Sequence, residues 1–218
     1  MLSIIQAAGW PIWPLILCSI AALTIIIERL FSLRSSRIAP ASLLDEVLGV
    51  TRSSLPGNEV VGKLAASSLL GGVFATGLRS VIAEPRISEE ALRQSFESAG
   101  RIALHRLERY LNTLGTIAAA APLLGLFGTV IGMIRMFLSI LEHGVGDAQY
   151  MAGGIGEALI CTAAGLVVAV PAYIFHRMFR SRVHSYGIDM EREVLALMDA
   201  LDETSHVAQA AAPRRAAR

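Results

Sequence analysis

Glu157 sits two turns inside an apolar stretch, about Tyr150 to Phe175, that carries no other charge. Moving a carboxylate into hydrocarbon costs roughly 2.5 kcal/mol or more, so a carboxyl there marks ion or proton transfer. Burial in lipid disfavours the ionised form, which lets such a group take up and release a proton near neutral pH. Two hydroxyls can serve the same path. Thr129 lies about 22 Å into its own apolar stretch from the end near Leu114, and Glu157 about 10 Å in from the opposite side near Tyr150. In a core about 30 Å thick these are similar depths, so the two can meet across a helix interface. Thr162 lies about 8 Å deeper than Glu157 and is turned from it by about 140° around an ideal helix.

Each of these residues also has a plainer reading. A membrane threonine can bond its own backbone carbonyl, and a carboxylate near a helix start is favoured by the positive dipole end. Arg135, near the outer end of its stretch, can snorkel to the interface and then needs no functional role. Cys18 and Cys161 fall in apolar runs and read as packing residues. His105, His143 and His176 are isolated, and no HxH, HExxH or Cys/His cluster calls for a metal or other cofactor.

The elements that position these residues are membrane helices. The chain has 218 residues, 54% hydrophobic and only 17% charged, with a mean hydropathy of +0.56, against about 25% charge in a soluble domain. Three segments are long enough to span: Pro11 to Ile27, about Leu114 to Ile134, and about Tyr150 to Phe175. Leu64 to Leu78 is shorter, contains Gly71 and Gly72, and reads as a buried helix outside the membrane. The net charge of +1 and the lack of a basic patch interleaved with aromatics exclude nucleic acid as a partner. Eleven Lys and Arg fall between Arg29 and Arg109, while the first ten residues and the Glu142 to Gln149 loop have none. The positive-inside rule therefore puts the N-terminus and that loop outside, and the middle segment and C-terminus in the cytoplasm. Trp10 and Trp13 fit an outer interfacial anchor.

The fold class that follows is an all-α membrane protein with three transmembrane helices and long cytoplasmic helical extensions. The first span occupies residues 1–30, a cytoplasmic helical region 31–112, the second and third spans 113–175, and a C-terminal helix with a disordered tail 176–218. Within the cytoplasmic region, helices are predicted over about Ala41 to Thr51 and Glu59 to Ala83, the latter stopped at Pro85. Ser88 followed by Glu89 and Glu90 reads as a capped start. The apolar stripe of Leu92, Phe96, Ala99, Ala103, Leu107, Tyr110 and Leu114 then predicts one helix from Ser88 to Leu141. The third span is predicted to run on towards Leu201, with Gln209 to Arg218 disordered.

The second span reads Thr116-Ile-Ala-Ala-Ala-Ala-Pro122-Leu-Leu-Gly125-Leu-Phe-Gly128-Thr129-Val-Ile-Gly132-Met, and the third carries Gly153, Gly154, Gly156 and Gly165. Small residues let helix backbones approach closely, which serves either packing of one span on the other or oligomerisation. Pro122 and Pro171 bend their helices.

Ala120 to Met133, followed by Gly154-Ile-Gly-Glu-Ala-Leu-Ile-Cys-Thr-Ala-Ala-Gly-Leu166, resembles the paired signature of the MotA/TolQ/ExbB proton-channel family. The opening Gly9-Trp-Pro-Ile-Trp-Pro-Leu-Ile-Leu-Cys-Ser19, with Ile27-Glu-Arg29, is more like the ExbB branch than the TolQ branch, and MotA would need four spans. The resemblance implies a homo-oligomer, a pentamer, in the bacterial inner membrane whose second and third spans line a pore. That pore would hold an ExbD-like single-span partner bearing a membrane Asp. Glu157, Thr129 and Thr162 match the polar residues of the pathway. The implied work is conversion of proton-motive force into motion passed to a TonB-like protein for transport across the outer membrane. A TolQ-like envelope-maintenance motor and a non-conducting scaffold are the alternatives. No hydrolase or transferase constellation is visible, so an enzyme is not expected.

Overall fold

The computed structural model describes all residues except 1–8, 41, 54–55, 85–86, 144–147 and 216–218. Among the described residues all regular structure is helical. In chain order the helices are α1 Ile12–Ser32, α2 Ser35–Ile38, α3 Leu43–Ser53, α4 Asn58–Ser67, α5 Leu69–Ala83, α6 Glu89–Glu108, α7 Leu111–His143 and α8 Ala148–Arg215. Three helical stretches, Ile12–Ser32, Glu89–Glu142 and Met151–Glu203, are long and apolar enough to cross a membrane. The chain divides into two compact units, one of residues 1–31 and 110–180 and the other of residues 32–109 and 181–218.

The first unit holds the three apolar spans. Leu15 of α1 packs with Ala121 of α7 and Ala169 of α8, while Ile12 packs with Cys161. Trp10 lies edge-on to Phe127 at 5.9 Å between centroids, and both Trp10 and Trp13 are exposed. Large apolar side chains such as Leu17, Leu123, Phe137, Leu159 and Val167 face outward, as a hydrocarbon solvent permits and water does not.

The helix predicted from Ser88 to Leu141 is two helices. Tyr110 breaks it, with φ at 62°, a left-handed conformation that costs a side-chain-bearing residue roughly 1–2 kcal/mol. No glycine or proline marks this point. Arg29 of α1, itself buried and paired with Glu28 at 2.6 Å, lies 5.5 Å over the Tyr110 ring, and a cation over an aromatic face returns a comparable amount, about 0.5–2 kcal/mol. The Leu114 N–H then donates to the Tyr110 carbonyl at 3.0 Å and starts α7.

In the second unit α5 packs on both α4 and α6, burying Leu70, Val73, Phe74 and Leu78. The helix predicted over Glu59 to Ala83 is split at Ser68, whose extended backbone and side chain cap α5 by accepting from the Gly71 N–H at 3.0 Å. Ser88 caps α6 by accepting from the Ala91 N–H. Pro85, the expected stop, lies outside the described residues, as do most of the loop after Glu142 and the last three residues of the tail. Residues 209–215, expected to be disordered, continue α8, in keeping with the high helix propensity of alanine. The portion of α8 that belongs to this unit buries Val183, Met190 and Leu197, and the Tyr186 hydroxyl donates to the Leu33 carbonyl at 3.1 Å.

A β-carbon at Gly77 would overlap the ring of Phe96, which is buried. Gly77→Ala is expected to destabilise the second unit by roughly 1–3 kcal/mol. Gly49→Ala, which meets open space, should be neutral or stabilising by up to about 1 kcal/mol. Chemical denaturation of the purified chain in detergent measures both, and equal effects would contradict this packing of α5 on α6.

Candidate functional site

The site grows out of a seam that has almost no side chains. A β-carbon built on Gly125 would stand 3.0 Å from the Cys161 carbonyl, one on Gly132 would stand 2.8 Å from the Gly154 carbonyl, and one on Gly165 would stand 2.7 Å from the Ala121 carbonyl. At Gly128 it would run into the Cys161 side chain. These glycines bring α7 and α8 to backbone contact, whereas Gly153 and Gly156 meet open space. Pro122 and Pro171 lie within α7 and α8, and both helices continue through them.

At the end of this seam Arg135 of α7 reaches Glu157 of α8. Its Nη1 donates to both carboxylate oxygens, at 2.7 and 2.9 Å. The Glu157 side chain is 9% exposed and that of Arg135 47%. Gly9, with φ at +67°, closes the third side, because a β-carbon there would collide with Glu157 Oε1 and stand 2.8 Å from Arg135 Nη1. Arg135 therefore does more than snorkel. Reading depth alone missed it, although it was the lone cation of its span and Glu157 the lone anion of the next.

Thr129 does not join this pair. Its hydroxyl donates to the Leu126 carbonyl of its own helix at 2.6 Å, and among the described residues no hydrogen bond links it to Glu157. Thr162 behaves differently. Its Oγ1 is buried and has no hydrogen-bond partner among the described residues, while its Cα lies at the seam opposite Gly125. Cys161 is fully buried against Ile12, and Cys18 is half-buried. No group of three or more His, Cys, Asp or Glu that could hold a metal occurs among the described residues.

A buried carboxylate paired across two membrane-length helices, beside a packed glycine seam, defines a membrane protein built to hold a charge at depth. Residues 65–192 match the model of the MotA/TolQ/ExbB proton channel family. An ExbB-like biopolymer transport protein of Synechocystis is 34% identical over 178 residues, covering 81% of this chain and 83% of the relative. The biopolymer transport protein ExbB of Salmonella typhimurium is 32% identical over 169 residues, covering 70% and 69%. The Tol-Pal system protein TolQ of Pseudomonas aeruginosa is 36% identical over 103 residues, 45% of each chain. The chain belongs to the MotA/TolQ/ExbB proton channel family.

Because Thr129 bonds its own helix, Thr129→Val should cost only about 0.6 kcal/mol, and Thr162→Val, which removes a buried hydroxyl with no partner among the described residues, should not destabilise the protein. Melting of the purified chain in detergent measures this. A shift worth more than about 2 kcal/mol would give the hydroxyls a structural role. Loss of transport activity at unchanged stability would give them a role in transport instead.

Proposed function

We propose that this chain is an ExbB-like stator subunit of the bacterial inner membrane that couples proton-motive force to energised transport across the outer membrane. The observation that carries the reading is Glu157, a buried carboxyl on a membrane-length helix, met from the adjacent span by Arg135. The pathway is assigned to Glu157, with Thr129 and Thr162. The unpartnered Thr162 hydroxyl supports a polar neighbour on another chain, since a buried hydroxyl left unpaired costs about 1–3 kcal/mol. The partners are an ExbD-like single-span protein with a membrane Asp, a TonB-like protein and further copies of this chain, as a pentamer. The outward apolar side chains of the first unit and the open faces at Gly153 and Gly156 leave surface for them. The working division is a first span at 1–30, a cytoplasmic region at 31–112, channel helices at 113–175 and a cytoplasmic C-terminal segment from 176.

A TolQ-like envelope-maintenance motor is the second reading, favoured by the TolQ relative that matches 45% of the chain. The ExbB-like relative, matched over 83% of its length, favours the first. Deletion separates them: loss of energised uptake with an intact envelope supports the ExbB-like role, and detergent sensitivity with normal uptake supports the TolQ-like one.

Glu157→Gln, which keeps a hydrogen-bond acceptor for Arg135, is expected to abolish energised uptake while the protein still inserts and assembles. Glu157→Ala is the poorer test, because it removes both the carboxyl and the partner of Arg135 and would confound function with folding. Normal uptake by Glu157→Gln at normal protein levels would make the residue structural and favour the scaffold alternative.

The Lys/Arg asymmetry supports an orientation with the N-terminus periplasmic and the C-terminus cytoplasmic. In a background lacking Cys18 and Cys161, a cysteine at position 144 should react with an impermeant thiol reagent in intact spheroplasts, and one at position 58 should not. The opposite pattern would overturn the topology.

A further inference from the structure

The geometry points to Arg135 as a positioning residue that latches Glu157, with Gly9 as the seat that lets the latch close. This rests on the reading of Glu157 as the proton-carrying group. Two observations set the arrangement apart from a simple surface pair. Both carboxylate oxygens are taken by one guanidinium nitrogen from the neighbouring helix, so the carboxyl is fixed along a single axis. The Glu157 carboxylate and the Arg135 guanidinium then occupy the space where any side chain at position 9 would stand. The buried carboxyl is thus bounded by a guanidinium and a peptide, and of the paired side chains it is Arg135 that is substantially exposed.

Charge makes the pair consequential. Inside hydrocarbon a lone guanidinium or carboxylate is costly, while the closed pair is neutral. A proton delivered to Glu157 cancels its charge and releases the guanidinium, and loss of that proton restores the attraction. Arg135 therefore ties proton occupancy of Glu157 to closure of its own guanidinium on the carboxyl. Without it, the carboxyl could load and unload with no such consequence. Cys161, one turn from Glu157, is a titratable group close to the pair, and Gly9, Pro11 and Ile12, at and just before the start of α1, face this region and carry no charge.

The test uses the full-length complex with its co-purifying partners in liposomes, reading proton entry under an imposed potential, with energised uptake measured in cells. Arg135→Gln is expected to raise proton entry without the client by about tenfold, equivalent to roughly 1.4 kcal/mol of lost pairing, and to lower uptake. Arg135→Lys, a point charge without the planar fork, should fall between Arg135→Gln and the wild type. Gly9→Ala keeps every charge but drives a methyl group against the carboxyl, and should leak in the same direction. If Arg135→Gln and Gly9→Ala both match the wild type in leak and uptake while Glu157→Gln is inactive, the latch is refuted and the proposed function stands. If Glu157→Gln is active, the proposed function itself fails. Should Arg135→Gln not assemble, Arg135→Lys and Gly9→Ala decide: a leak in both upholds the latch, and wild-type behaviour in both overturns it.

Discussion

A charge placed inside a membrane helix has to be neutralised within reach of its own side chain, and this requirement organises the apolar half of the molecule. Glu157 satisfies it through Arg135 at 2.7 Å. The pair can form only if α7 and α8 run close enough for an arginine to cross the gap. It also needs the approach from the segment just before α1 to be free of a side chain, which is met by Gly9 at φ +67°. Three separate segments are thereby constrained by one ion pair.

The glycine seam supplies the proximity. With no hydrophobic drive between helices in lipid, association depends on packing and on small residues that admit the partner backbone. Gly125, Gly128, Gly132 and Gly165 all face the opposing helix, and α1 covers the outside of the seam with Ile12 and Leu15. The Arg29 and Tyr110 stack plays a related part at the other end of α1. There a favourable contact of one or two kcal/mol offsets a backbone conformation of similar cost.

Much of this was legible in the residues themselves. The spans follow from length and apolarity, Glu157 from its isolation, and the α6 cap from Ser88 with the acids behind it. Ser68 was readable as a cap too, since a hydroxyl before an apolar run is an N-terminal signal, but continuous helical periodicity masked it. Tyr110 was not readable, because its turn is fixed by an arginine more than eighty positions away and by no local breaker. The link from Arg135 to Glu157 was missed for a geometric reason. Rise per residue gives depth in the membrane but not azimuth around the helix, so it offered Thr129 as the neighbour when the longer side chain two turns away was the one that reached. The orphan hydroxyl of Thr162 likewise depends on what surrounds it in three dimensions.

The backbone contact at the seam has a mechanical meaning. Where Cα atoms of one helix face carbonyl oxygens of the next, as Gly125 and Gly165 do with Cys161 and Ala121, weak Cα–H···O bonds of about 0.5–1 kcal/mol can form side by side. Side chains that interdigitate can slip from one rotamer to another under load, but two backbones in contact have no such freedom. Helices α7 and α8 should therefore tilt or rotate in the membrane as one stiff blade, so that a push delivered at either helix reaches the other without lag or loss of stroke.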